Sequence, residues 1–200
     1  MQGNHVDDDN MRLAGIMWSM STYHHGDLRA ALVQAAEEIL EEQGLAALSI
    51  REAARRAGVS HNAPYRHFPD RDSLLAELAA EGFRRLGGEL AAHSGREMGE
   101  AYVRFALAQP ERFRLMFGAR LQHPVLQEAA QRTYGALVSA FRKDSAVADP
   151  EKAAAAAWSL VHGLAQLLLD GHFPGQNKQT FVKDVIGAVR FATANIPART

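Results

Sequence analysis

Between Ser49 and Arg71 the side chains have the types and spacing for recognition rather than for covalent chemistry. By helical phase, His61, Asn62, Ala63, Tyr65 and Arg66 occupy or border one outer surface, with Ser60 at its start. An asparagine there offers the paired donor and acceptor that match the major-groove edge of adenine, and Ala63 suits a thymine methyl. His61 both donates and accepts, so it names no single base. The same stretch holds five arginines (51, 55, 56, 66 and 71) against two acids, Glu52 and Asp70, and His61 and His67 can add charge. The whole chain carries a net charge of only −1, so the basic character is local. Arg55 and Arg56 read as a solvated face, and Phe68 reads as core. Glu37, Glu38, Glu41 and Glu42 of the preceding segment are expected to face away from a polyanion.

Those side chains need two short helices to hold them. Ser49 is placed to cap a helix running to about Ala57. Ala54 has almost no side chain, so another helix can cross close to it. Gly58 can take the positive φ that ends the helix, Val59 plugs the turn from behind, and Ser60 is placed to cap the second helix. This is the pattern of a helix-turn-helix whose second helix fits a DNA major groove. An αα-corner inside an ordinary bundle is the plain alternative. Pro64, four residues after Ser60, removes an early helical N–H, which predicts a tighter or irregular start to that helix.

The remaining chain predicts an all-α architecture of nine helices, because helical periodicity recurs and strand alternation does not. The first helix is expected over Asp27 to Gln43, with a buried stripe of Leu28, Leu32, Ala35, Ala36, Ile39 and Leu40. The fourth, capped by Asp70, is expected to reach about His93, weakened by Gly82 and Gly87-Gly88. Five more follow: Glu97 to Gln109, Glu111 to Phe117, Pro124 to Lys143, Pro150 up to Gly171, and Lys178 to Ala194. Residues 1–20 read as a tail, 21–72 as the helix-turn-helix domain and 73–200 as a second helical domain. With 47% hydrophobic residues a sizeable core is expected, and the absence of cysteine excludes disulfides and thiolate metal sites. No apolar run reaches the ~18 residues of a membrane span, so the chain reads as cytoplasmic with no membrane partner. Nine histidines raise the question of a metal, with His24 and His25 the nearest pair, but no supporting ligand spacing stands out. No metal and no cofactor are expected. Asp170 and His172 are the best catalytic groups available and lack a nucleophile, so no enzyme is expected.

Tyr23-His24-His25-Gly26-Asp27-Leu28-Arg29, Gly58-Val59-Ser60, Tyr65-Arg66-His67-Phe68, Arg71 and Leu74-Leu75 together resemble the tetracycline-repressor (TetR) family. Leu115-Met116-Phe117 and Trp158, His162 and Gly163 are similar to the WHG subtype of its C-terminal domain. The resemblance covers about residues 23 to 195. It implies a homodimeric repressor that binds a double-stranded DNA operator and releases it when a small-molecule effector binds. Matched to the family motif, Tyr65, His67 and Arg71 correspond to phosphate contacts, and Arg51 to a base or phosphate contact. Ser49 can hold a phosphate at its helix N-terminus. Packing is the alternative role for Tyr65, and fixing the corner after the second helix is the alternative for His67. A ligand-independent architectural DNA-binding protein is the rival reading.

In the second domain, Tyr102, Phe105, Phe113, Met116, Phe117, Tyr134 and Phe141 are candidates for a mainly apolar ligand pocket, with Trp158 and with His162 or Tyr102 as its polar group. Core packing is the alternative for each, and Trp158 and His162 can equally form a structural pair. Ala156, Leu160, Gly163 and Leu167 form a separate stripe with small residues for close approach. Together with Val182, Ile186 and Val189 it is the expected dimer interface.

Overall fold

The computed structural model describes residues 28–118 and 122–189. Among the described residues are eight α-helices, one short 3-10 helix and no strand. Helix α1 spans Leu28–Gln43 and α2 spans Ile50–Arg56. After the 3-10 turn Ala63–Arg66 come α3 (Arg71–Ala91), α4 (Gly95–Ala108), α5 (Pro110–Gly118), α6 (Pro124–Arg142), α7 (Pro150–Leu169) and α8 (Lys178–Ala188). Tyr23, His24, His25, the Asp27 cap, the first twenty residues and the end of the last helix toward Ala194 lie outside the described residues.

Local chemistry sets most of the boundaries. The Ser49 hydroxyl accepts the Glu52 N–H at 3.1 Å and starts α2. At its end, Gly58 N–H reaches the Arg55 carbonyl at 3.2 Å and Val59 N–H reaches that of Ala54 at 3.0 Å. That paired closure needs the positive φ of Gly58, +69°, which a side chain would strain. Asp70 and Ser73 form a reciprocal capping box that starts α3. Pro110, Pro124 and Pro150 each stand in a first helical turn, where a missing N–H costs nothing.

The count differs from nine α-helices because the expected second helix of the helix-turn-helix is a single 3-10 turn. An α-helix starting at Ser60 needs an N–H on residue 64 to meet the Ser60 carbonyl, and Pro64 has none. Ala63 N–H takes that carbonyl instead at 3.1 Å, and the Pro64 carbonyl accepts from both His67 and Phe68 at 2.9 Å. Asn62 is the capping position and its side chain makes no cap bond. The expected Ser60 cap is therefore replaced by the carbonyl of the same residue.

Helix α3 is the organiser: it packs on α1 at one end and on α4, α5 and α6 along its length. One continuous buried cluster runs from Leu32 of α1 to Ile186 of α8, so the core crosses the expected border at residue 72, inside the first turn of α3. Gly82, expected to weaken this helix, serves instead as a notch. A Cβ there would stand 2.6 Å from Met116 Sδ and 3.3 Å from Arg112 Cγ, so α5 can approach α3 only because the position is bare.

Candidate nucleic-acid interface and interior cavity

Around the 3-10 turn, Ser60, His61, Asn62, Tyr65, Arg66 and His67 are exposed, as are Arg51 on α2 and Arg71 at the start of α3. Tyr65 is 44% exposed, an unusual position for an aromatic ring with nothing outside the chain to meet. Ala63 and Ser49 are half-buried, while Pro64 and Phe68 are buried and anchor the turn from behind. Phe68 also receives the Arg29 guanidinium over its ring at 5.4 Å.

Five arginines overstate the free charge of this face. Arg55 pairs with Glu52 at 2.5 Å, and Arg56 reaches back to Glu42 of α1 at 2.7 Å. Each partner carboxyl is held below its ordinary pKa, first by that hydrogen bond. Arg71 donates through Nε to the Leu48 carbonyl and through Nη2 to that of Leu45, both at 2.8 Å, so it ties down the loop between α1 and α2. Among the described residues, Arg51 and Arg66 are the arginines of this stretch with no hydrogen-bonded or ionic partner. The free cations flank Asn62 and Tyr65 in sequence. Ser49 spends its hydroxyl on capping, which leaves its helix N-terminus rather than its side chain for an anion.

An ionic junction that sequence reasoning missed lies behind this face. Glu37 of α1, expected to face away from a polyanion, is buried at 5% exposure. Its carboxylate accepts from Arg85 of α3 at 2.8 and 2.9 Å and from Arg112 of α5 at 3.1 Å. Arg112 is buried and also donates to Glu41 at 3.0 Å. Glu77 of α3 pairs with Arg29 of α1 and with Arg84, and burial, which would raise its pKa, is outweighed by those two guanidinium groups. The signal was available in part: Glu37 sits among Ala36, Ile39 and Leu40, on the buried side of α1, where an unpaired carboxylate would be costly.

A cavity of about 680 Å³ lies between α3, α4, α5, α6, α7 and α8. Of the expected ligand residues, Tyr102, Phe117, Tyr134, Phe141 and Trp158 line it. Phe105, Phe113 and Met116 do not; they are buried in the core, Met116 against the Gly82 notch and Phe113 against Tyr102 and Phe117. His162 stands one layer back. Trp158 Nε1 donates to the Tyr102 hydroxyl at 3.1 Å, and that hydroxyl lies 2.9 Å from His162 Nδ1. The phenol oxygen can accept from both the indole and Nδ1–H or donate its own proton to Nδ1, and a neutral imidazole satisfies either arrangement. Burial favours the same state, lowering the His162 pKa and raising that of Tyr102. Trp158 and His162 are thus a structural pair joined through Tyr102, and Trp158 is at the same time a cavity wall.

The dimer strip expected on the last helix requires correction. Val182 and Ile186 are buried within the protomer, and Ile186 and Val189 line the cavity. Ile186 Cδ1 approaches Gly99 of α4 so closely that a Cβ there would stand 3.4 Å away. Helix α8 packs mainly on α4, which turns its apolar strip inward. On α7, by contrast, Leu167 is 42% exposed, Ala156 is exposed, and Leu160 and Gly163 are half-buried.

Residues 32–78 match the family model described as bacterial regulatory proteins of the tetR family, and residues 96–188 match the tetracyclin repressor-like C-terminal domain. The solved structure of a protein with unknown function from Rhodococcus sp. RHA1 shares 34% identity over 84% of this chain and 95% of that one, with a TM-score of 0.72. The chain belongs to the tetR family. The HTH-type transcriptional repressor Rv3405c of Mycobacterium tuberculosis is 43% identical over 52 residues, 26% of this TetR-family chain and 28% of that protein. At lower identity, 21%, the multidrug binding protein EbrR complexed with imidazole has the same fold over 85% of this chain and 96% of its own, with a TM-score of 0.58. One family match takes most of α1 through the first part of α3, the other α4 through α8. Among the described residues no helix is long and apolar enough to cross a membrane.

Proposed function

We propose that this TetR-family chain is a homodimeric transcriptional repressor, released from a pseudo-palindromic operator when a small, mainly apolar ligand enters the α3–α8 cavity. The observation that carries this reading is the position of α5. In nine residues this helix presents Phe117 to the cavity wall and Arg112 to Glu37 and Glu41 of α1. A ligand that shifts Phe117 acts on the helix whose other side chain holds the reading head. Helix α3, 21 residues and roughly 31 Å long, provides a second link. Only a ligand that prefers the DNA-incompetent arrangement shifts the equilibrium, and operator DNA must then weaken ligand binding by the same factor. A similarly folded protein is a multidrug binder, a use in keeping with a cavity of this size.

The exposed surface of Arg51, His61, Asn62, Tyr65, Arg66 and His67 reads the operator in this scheme. Asn62 contacts a base, and the free cations Arg51 and Arg66 contact phosphates. Arg71 acts by fixing the loop before α2. One such surface reads only a few base pairs, so two copies are needed for useful specificity. The α7 stripe of Ala156, Leu160, Gly163 and Leu167 supplies the contact between them. It is open within the protomer, and a Cβ built on Gly163 meets no heavy atom within 4 Å. Exposed Ala188 and half-buried Val185 of α8 take the part first expected of Val182 and Ile186. Selection of bound sequences from random duplex DNA tests the proposal. The expected result is an inverted repeat whose preference at one position per half-site relaxes by about 1–3 kcal/mol in Asn62→Ala. Recovery of sequences with no defined repeat would support a ligand-independent architectural role instead.

A further inference from the structure

We infer that the effector is an amphipathic anion, with an apolar body in the cavity and a carboxylate or similar head on Arg96; this rests on the cavity being the effector site. The hydroxyls on the cavity wall are already engaged. Tyr102 is held between Trp158 and His162, Thr133 Oγ1 lies 3.0 Å from the carbonyls of Phe83 and Ala129, and Tyr134 donates to the Glu151 carbonyl at 3.3 Å. The Trp158 indole N–H is spent on Tyr102. Arg96 is different. It lines the cavity at the start of α4, is exposed, and has no ionic partner among the described residues. Its Nη1 comes within 3.7 Å of the position a Cβ on Gly187 of α8 would take, so the guanidinium stands beside the end of α8, where Ile186 and, just past the helix, Val189 join the wall.

Among the described residues the wall contains no aspartate or glutamate, and Arg96 is its single arginine or lysine. Aromatic walls by themselves attract cations through their ring faces. Here an uncompensated guanidinium opposes that and reverses the preference. A guanidinium presents two parallel N–H groups to a carboxylate, a geometry that no other group on this wall offers. The remaining lining, including Leu86, Leu90, Met98, Leu137 and Val161, suits an aliphatic or aromatic body.

Three probes of one chain length separate the possibilities: dodecanoate, dodecanol and dodecyltrimethylammonium, all below micelle formation. Binding is read from Trp158 emission in the full chain with Trp18→Phe, because Trp18 is the other tryptophan. The expected result is dodecanoate at least tenfold tighter than dodecanol, about 1.4 kcal/mol, and dodecyltrimethylammonium weakest. Arg96→Gln should abolish the preference for dodecanoate and leave dodecanol affinity unchanged. Because Arg96 is exposed, the preference should also shrink as salt is raised. Equal binding of dodecanoate and dodecanol, tightest binding of the cation, or a preference that survives Arg96→Gln overturns the Arg96 assignment and leaves the cavity reading standing. If none of the three probes perturbs Trp158, both fail.

Discussion

The junction between α1, α3 and α5 and the face around the 3-10 turn are both rich in arginine, yet they use it in opposite ways. At the junction Arg29, Arg84, Arg85 and Arg112 each have a carboxylate, and Glu37 and Glu77 are nearly inaccessible. On the face Arg51 and Arg66 point to solvent with no partner among the described residues. A paired, buried guanidinium fixes geometry, because breaking it leaves a charge stranded in a poorly solvated place. An unpaired, hydrated one holds little together and remains available to an external anion. Arg71 lies between these extremes: exposed like the second group, but tied to two carbonyls like the first.

Substitutions across this series should therefore fall on a graded scale. Arg112→Ala removes the buried guanidinium shared by Glu37 and Glu41, leaves Glu37 to Arg85 alone, and is expected to destabilise the fold by about 3 kcal/mol in denaturant unfolding. Replacing Glu37 and Arg112 together by leucine and methionine should recover most of that loss. A mild effect of the single change would mean that the junction is not a structural lock.

Arg71→Ala comes next, with a loss of about 1–2 kcal/mol from two charge-assisted bonds to carbonyls that water can partly replace. If Arg71→Ala leaves stability intact and lowers only DNA affinity, the residue belongs with the phosphate contacts.

A smaller and pH-confined effect is expected from His162. Its pKa is lowered in the folded state by burial, so below about 6.5 the unfolded chain takes up a proton that the native chain resists. Stability should thus fall as pH drops from about 6.5 toward the folded-state pKa, and be unaffected by this group above that window. Thermal melts of His162→Gln should show a shallower acid slope than the parent. An unchanged slope would exclude His162 as its source.

Least perturbing for the fold is Arg66→Ala, expected within about 0.5 kcal/mol of the parent in stability. Its consequence should appear in DNA binding, where losing one phosphate contact lowers the salt slope by about one unit. Comparing Arg66→Ala with Arg112→Ala in both assays gives the sharpest test of the contrast, since each should be nearly silent where the other is loud.

The chemistry of nearest neighbours was legible in the chain before any fold was known. Ser49 capping α2, the Gly58 closure with Val59, the Asp70 cap of α3 and the prolines opening α5, α6 and α7 follow from groups a few residues apart, whose bonds form in the same way in any tertiary setting. Even the irregular start after Ser60 could be anticipated from Pro64, although its reduction to one 3-10 turn could not. Of the set read as outer surface, His61, Asn62, Tyr65 and Arg66 are exposed and Ala63 is half-buried, because a 3-10 turn replaces the α-helix whose phase was assumed.

What only the tertiary structure decided concerns partners far apart in sequence. Glu37 and Arg112 are 75 positions apart, and nothing local marks them as a pair. Tyr102 and Phe105 are both buried on α4, but only Tyr102 reaches the cavity, since that depends on where α6, α7 and α8 stand around it. Ile186 offers the same apolar strip to a sister protomer or to its own core, and the docking of α8 on α4 at Gly99 chose the core. An apolar side chain is driven out of water without being told which surface to join. Periodicity therefore identifies a face to be covered, and the packing of whole helices decides what covers it.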